Sequence, residues 1–241
     1  MRHLFVDTSQ RSGDSVRFDS AQLHYLERVL RLEPGEAIDL VPRGGAEVWS
    51  ARLEGGRRGL AGATVQTSRP VAPESRTVVR LFLSALKSDR LEWALQKTVE
   101  LGVDSFFLLR ARHSVKAPGQ ASGERMRSIA ENACQQSGRH RLPELGGAIG
   151  LAEALERLGT EQGQGVALHP DGAAGLLRDY EPRQGLALSF FIGPEGGFAE
   201  EELEALRARG VSMARFDGNI LRAETAAVAA ATLLLARLGR L

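Results

Sequence analysis

The segment Ile192-Gly193-Pro194-Glu195-Gly196-Gly197-Phe198 carries the strongest chemical signal in this sequence. Its glycines permit positive φ and let backbone approach a ligand closely. Pro194 stiffens one side of the loop. The segment follows an apolar strand pattern, LALSFF, and precedes a helix pattern over 199–209. Ligands of parallel α/β sheets bind at the carboxyl ends of strands, which makes this a candidate ligand loop. A purely structural turn of the same composition is the alternative.

A second segment, Phe216-Asp217-Gly218-Asn219-Ile220-Leu221-Arg222-Ala223-Glu224-Thr225-Ala226, joins the next strand pattern to the last helix. In a parallel sheet it shares an edge with the first loop. Arg222 and Glu224 fall at the helix start, where the dipole favours Glu224 and disfavours a cation. Arg222 therefore needs another reason to be there. An anionic ligand is one; an ordinary ion pair with Glu195 or Glu224 is the other. A third set, Asn132, Gln135, Gln136, Ser137, Arg139 and Arg141, lies on and after a helix pattern over 122–137. Gln136 and Arg139 are three apart and can share a face. Amide and guanidinium groups suit RNA edges and phosphates, although a solvated helix end has the same composition.

The elements that must position these residues fall into two stretches. Residues 1–68 read as short strands, HLFVD, VRFD, AIDLV, AEVWSARLEG and GATVQTSRP, separated by Gly and Pro. One helix interrupts them, capped by Asp19 or Ser20, with Leu23, Leu26, Val29 and Leu30 on its apolar face. Such spacing suggests a small β-barrel. Arg69–Arg76 reads as a linker. From residue 77 to 241 strands alternate with helices, beginning with the apolar run TVVRLFLSAL, so this part is α/β with a mostly parallel sheet. Asp89 and Glu92 resemble an acidic capping box for its first helix, and Gly102 stops that helix. The last helix carries Ala226, Ala227, Ala229, Ala230 and Ala231. Small residues allow close helix packing, within the chain or across a dimer, but Ala also simply favours helix.

Composition narrows the function classes. Hydrophobic residues make up 43% of 241, too many for a disordered chain. No run of apolar residues is long enough to span a bilayer. The segment MRHLFVDTSQRSGD lacks the apolar core of a signal peptide, and the single cysteine, Cys134, cannot form an internal disulfide, so a cytoplasmic location is expected. No metal-ligand spacing surrounds Cys134. Net charge is only +1. Residues 110–141, however, hold seven Arg and Lys against Glu124 and Glu131, a local excess able to attract phosphates. The absence of GxGxxG after the first strand, GxxxxGK[ST], HExxH, paired CxxC and GxSxG argues against dinucleotide, P-loop, zinc-protease and serine-hydrolase sites.

The chain resembles the RsmE family, which methylates N3 of a uridine in small-subunit (16S) ribosomal RNA. The resemblance runs nearly end to end: His24 and Val29-Leu30-Arg31; Lys87 and Lys97-Thr98-Val99-Glu100-Leu101-Gly102-Val103; Glu131 to Arg139; Ile192 to Phe198; and Ile220 to Ala226. The pairing of GPEGG with ILRxETA at the next strand–helix junction is its most specific part. Where the family has Leu-Gly-x-Arg, this chain has Phe216-Asp217-Gly218-Asn219, and the usual Ser or Thr after GPEGG-Phe is Ala199. Glu200, Glu201 and Glu202 can compensate for that weak cap through the helix dipole.

The resemblance implies a PUA-like RNA-binding β-barrel over 1–68 and a knotted SPOUT methyltransferase domain over 77–241. It implies S-adenosyl-L-methionine as cofactor, held by three loops. These supply Leu168, His169 and Pro170; Ile192, Gly193, Pro194, Glu195, Gly196 and Gly197; and Phe216, Gly218, Asn219, Ile220 and Leu221. Arg222 and Glu224 would serve catalysis. Arg31, Lys87, Arg112, Gln136, Arg139 and Arg141 would contact 16S ribosomal RNA or the small subunit, and the active unit would be a homodimer. A related knotted enzyme acting on ribose 2′-hydroxyls, and a non-catalytic RNA-binding assembly protein, remain alternatives.

Overall fold

A computed structural model describes residues 2–57, 59–71, 77–114, 121–160, 163–170 and 174–241. The chain divides into two units, one of Met1–Glu74 with Cys134–Leu142 and one of Ser75–Ala133 with Pro143–Leu241.

The first unit is built on β1 (His3–Val6), β2 (Arg11–Ser12), β3 (Ser15–Arg17), β4 (Ala37–Pro42), β5 (Glu47–Gly56) and β6 (Gly59–Pro70). They form one sheet in the order β1-β4-β5-β6-β3-β2, parallel only between β1 and β4. Register shifts at Ser50/Ala51 and Glu54/Gly55 interrupt the long β5–β6 ladder, and such bulges bend strands. The result is a curled half-barrel; the edge strands β1 and β2 do not pair with each other. Leu4, Val6, Val16, Leu26, Ile38, Leu40 and Trp49 fill its core.

Helix α1 (Ser20–His24) starts at Asp19, whose side chain accepts from the Gln22 amide at 2.8 Å while Gln22 returns the bond to the Asp19 amide. The helix then widens into a π-type turn over Tyr25–Val29. That change of period explains one departure from expectation: Leu26 is buried, but Val29 is 60% exposed. The expected linker also starts too early. Arg69 and Pro70 belong to β6, paired with Val48 and Glu47, while residues 72–76 lie outside the described part.

The second unit comprises β7 (Val79–Ser84), α2 (Ser88–Leu101), β8 (Ser105–Arg110), α3 (Ala121–Ser137), β9 (Glu144–Gly150), α4 (Leu151–Thr160), β10 (Gln164–Leu168), β11 (Gly175–Leu176), β12 (Leu188–Ile192), α5 (Glu200–Ala208), β13 (Ser212–Arg215) and α6 (Ala223–Arg237). The last turn of α3 clusters with the first unit. The described strands form a parallel sheet in the order β11-β13-β10-β12-β7-β8-β9. β7 and β12 are buried at every position, as their continuous apolar runs require. Phe82 stacks between Phe107 at 5.1 Å and Phe191 at 4.8 Å across three adjacent strands.

Two local expectations change here. Helix α2 is preceded by Lys87, which makes no side-chain cap, and Asp89 supports the first turn only through its charge. Glu92 is drawn away from any capping role by Arg125, at 2.8 Å. Strand β9 was not anticipated. Of the alanines in α6, Ala226, Ala227, Ala230 and Ala231 are buried, and the helix packs on α2.

Candidate functional site

The parallel ladder brings three chain exits to one edge. Leu168 ends β10 opposite Ile192 of β12 and Ala214 of β13, so the loops after these strands leave the sheet together. They enclose a cavity of about 470 Å³. Leu168, His169 and Pro170 line it from the first loop. Ile192, Gly193, Pro194, Glu195 and Gly197 line it from the second, and Phe216, Gly218, Asn219, Ile220 and Leu221 from the third. Gly196 does not reach it. A Cβ there would lie 3.1 Å from the Cβ of His113, so this glycine serves the packing of the loop on the 111–114 turn.

The second loop owes its shape to its glycines. Gly197 has φ of +74°, a conformation costly for residues with a Cβ, and its amide closes a turn on the Pro194 carbonyl at 2.8 Å. A Cβ on Gly193 would crowd the Phe198 ring at 3.1 Å. Ala199, the N-cap of α5, is relieved by Glu202, which accepts from the Ala199 amide at 2.9 Å. The other Glu202 oxygen accepts from the Arg112 amide at 2.9 Å. One carboxylate thus pins both segments beside the cavity.

Charge at the site does not follow the ion-pair alternative for Arg222. Arg222 is the N-cap residue of α6, is exposed and lines the cavity, with no carboxylate partner among the described residues. Glu195 and Glu224 instead share Arg90 of α2. The Arg90 guanidinium pairs directly with Glu195, and its Nε lies 3.7 Å from Glu224 Oε1. Glu224 is only 8% exposed, its Oε2 has no hydrogen-bond partner, and it is not part of the cavity lining. Its carboxylate therefore acts from behind the wall rather than in the cavity. Asp217, in the segment that departs from the family pattern, is held by Arg178 at 2.7 Å.

The cavity also recruits Phe198, Ala223 and Ala226, which belong to the two motifs without having been assigned to the ligand, and Arg215, which sequence reasoning did not single out. Arg215 could have been found, since it is the last residue of β13 and the carboxyl-end rule applies to it. Arg90 carried no such signal, because its partners lie far along the chain. The cavity is walled by backbone, glycine and apolar side chains with a few convergent polar groups. That is the donor set expected for a mostly apolar small-molecule cofactor with polar ends.

The candidate RNA contacts are divided between the units. Lys87 and Arg112 are exposed in the second, whereas Arg31, Gln136, Arg139 and Arg141 belong to the first. Arg112 also contacts Glu201 at 3.2 Å. A hydrogen bond to its own backbone, and then Arg112, hold the Glu201 carboxyl below the usual carboxylate range. The basic stretch 110–141 is thus partly neutralised, since Arg125 is paired with Glu92 as well; Lys116 lies outside the described residues. No described helix is long and apolar enough to cross a membrane.

Residues 73–235 match the RNA methyltransferase domain family. The ribosomal RNA small subunit methyltransferase E of Mycobacterium bovis is 29% identical over 234 residues, covering 94% of this chain and 88% of that protein. The same-named enzyme of Neisseria gonorrhoeae, solved bound to S-adenosyl methionine, superposes with a TM-score of 0.81 at 28% identity, covering 98% of this chain and 97% of that one. A methyltransferase of Legionella pneumophila in complex with bound SAM gives 0.82 at 26% identity, covering 97% and 96%.

Proposed function

Since this chain belongs to the RNA methyltransferase domain family, and to its RsmE members in particular, we propose that it transfers a methyl group from S-adenosyl-L-methionine to N3 of a uridine in small-subunit ribosomal RNA. The observation that carries this reading is one cavity bounded by the 168–170, 192–197 and 216–222 loops, with Arg222 at its rim and without a carboxylate partner among the described residues. When bound there, the cofactor supplies a sulfonium-activated methyl group, an electrophile that needs no metal.

The residues of this chain do the rest. Gly193 and Gly197 let backbone groups close on the cofactor, and Leu168, Ile192 and Leu221 give its apolar parts a wall. Uridine N3 carries a proton at neutral pH and attacks only after losing it to solvent water. Arg222 lowers that cost by holding the negative charge that develops on a uracil carbonyl. Glu224 stands too deep to touch the base and acts through Arg90, which fixes Glu195 and the start of α6. The target base leaves its stack to enter the cavity. Arg112 and Lys87 hold phosphates beside it, while the first unit, a PUA-like module in this reading, adds Arg31, Gln136, Arg139 and Arg141.

The reading includes a knotted chain path, a cytoplasmic location and a homodimer. Ile220, 86% exposed at the cavity rim, is an apolar side chain that a second copy would cover. Labelled cofactor incubated with small subunits lacking the modification, followed by nucleoside analysis, tests the reaction. A 3-methyluridine product is expected; a 2′-O-methylated product, or no transfer, would overturn the assignment.

A further inference from the structure

The first unit holds a second cavity, of about 460 Å³, that takes no part in the site above. It lies among β1, the turn after α1 and the last turn of α3. Arg2, His3, Tyr25, Gln135, Gln136 and Ser137 line it, and no carboxylate does.

His3 is the unusual member. It is 1% exposed, and neither ring nitrogen has a hydrogen bond of ordinary geometry. Its ring is fixed edge-on against Phe5 at 5.4 Å and His140 at 4.9 Å. Burial and the neighbouring His140 lower its pKa to about 4, against smaller opposing effects of a hydrogen bond with the Arg139 backbone and of Asp39. The ring is therefore neutral near pH 7 and adds no charge behind the cavity. Gln135 and Gln136 supply amides that each donate and accept. Tyr25 supplies an aromatic face. Arg2, only loosely paired with Glu36 at 3.9 Å, supplies a cation. Next to Leu30 of the same lining, Arg31 is held at φ of +53°, the one non-glycine residue with positive φ among those described. Such strain is retained where a precise chain path is needed.

An aromatic face, paired donors and acceptors, and a cation held only at 3.9 Å by its carboxylate partner suit a nucleobase with its phosphate. We propose that this cavity receives an unstacked base of the RNA substrate, stacked on Tyr25 and read by Gln135 and Gln136, with the buried His3 ring backing its wall. The inference rests on the RNA-methyltransferase reading and deepens it: the first unit does more than attract phosphates, because it selects RNA that can splay out a nucleotide away from the methylated one.

The test uses the full chain and in vitro transcribed 16S ribosomal RNA at one fixed salt concentration. Gln136→Ala, at an exposed helix end, and Tyr25→Ala should each weaken RNA binding about tenfold, whereas Tyr25→Phe, which keeps the ring, should stay within about threefold of the parent. Affinity for S-adenosyl-L-methionine, measured by calorimetry, should be unchanged in all three. Excess nucleoside monophosphates should not displace the RNA; displacement at micromolar concentration would mean that the cavity serves free nucleotides and would overturn the proposal. Unaltered RNA affinity in both alanine variants, with methyl transfer by the parent intact, would overturn the cavity assignment alone. A parent chain that neither binds the transcript nor methylates small subunits would overturn the cavity and the enzymatic reading together.

Discussion

Arg90 is ion-paired with Glu195, 105 positions further along the chain, and the same guanidinium reaches Glu224 at 3.7 Å. The two carboxylates belong to the two most distinctive motifs of the sequence, so one arginine of α2 ties both loops together. Replacing it with methionine leaves Glu224 buried without its cation, at a cost of about 3 kcal/mol or more. Arg90→Met should therefore melt several degrees lower and bind S-adenosyl-L-methionine more weakly. Adding Glu224→Gln should restore much of the stability but not the affinity. Thermal melts and calorimetry read the two effects separately. An Arg90→Met chain that melts like the parent would remove the clamp from this account.

Arg222 has a different part. It is exposed and has no carboxylate partner among the described residues, so its loss should leave the fold unchanged. Arg222→Ala is expected to slow single-turnover methyl transfer by about 100-fold, the scale of a lost charge-stabilising donor. Melting temperature and cofactor affinity should be unaltered. Near-normal turnover in this variant would exclude Arg222 from the chemistry.

Gly197 and Gly147 offer a matched comparison. Both have room for a Cβ, but only Gly197 has positive φ. Gly197→Ala should cost about 1 kcal/mol, or about 2–4 °C in melting temperature. It should also weaken cofactor binding, because the turn it closes lines the cavity. Gly147→Ala in β9 should do neither. Equal melting of the two variants would show that the turn tolerates a side chain.

His3 makes stability depend on pH in a definite direction. The unfolded residue takes up its proton near pH 6.5 and the folded one near 4. Between those values the unfolded chain binds more protons, so stability rises with pH. The contribution is complete above pH 6.5 and is lost as the pH falls toward 4, by about 2 kcal/mol at pH 5. Urea denaturation at pH 7.5 and pH 5 should show this fall in the parent and a smaller one in His3→Phe. Parallel behaviour of the two chains would refute it.

Much of the architecture is legible because local signals agree with it. The continuous apolar runs of β7 and β12 announce strands buried on both faces, and Asp19 with Gln22 marks the start of α1. Strand β9 is silent for the opposite reason. Its Gly146 lies against the Phe107 ring with no room for a Cβ, so the packing that requires the strand removes the side chain that would have revealed it. Two of the three cavity loops can be read from glycine placement and strand order; the 168–170 loop, with no glycine, is indicated only by the family resemblance. The role of Arg90 cannot, because α2 looks like any amphipathic helix until the sheet brings Glu195 and Glu224 to its first turn. The cavity at His3 is equally hidden: its walls come from residues 2–30 and 135–138, which no local pattern connects.

The parallel sheet also sets a timetable for synthesis. β7 and β8 are neighbours in sequence and in space, but the other partner of β7 is β12, at Leu188–Ile192. A chain emerging from the ribosome can join β7, β8 and β9 early. It must then carry the open, mostly apolar edge of β7 from Gly150, the end of β9, until Leu188 begins β12 and covers it. The nascent protein is thus most exposed to aggregation, and most in need of a chaperone, in the interval before its ligand-binding edge exists.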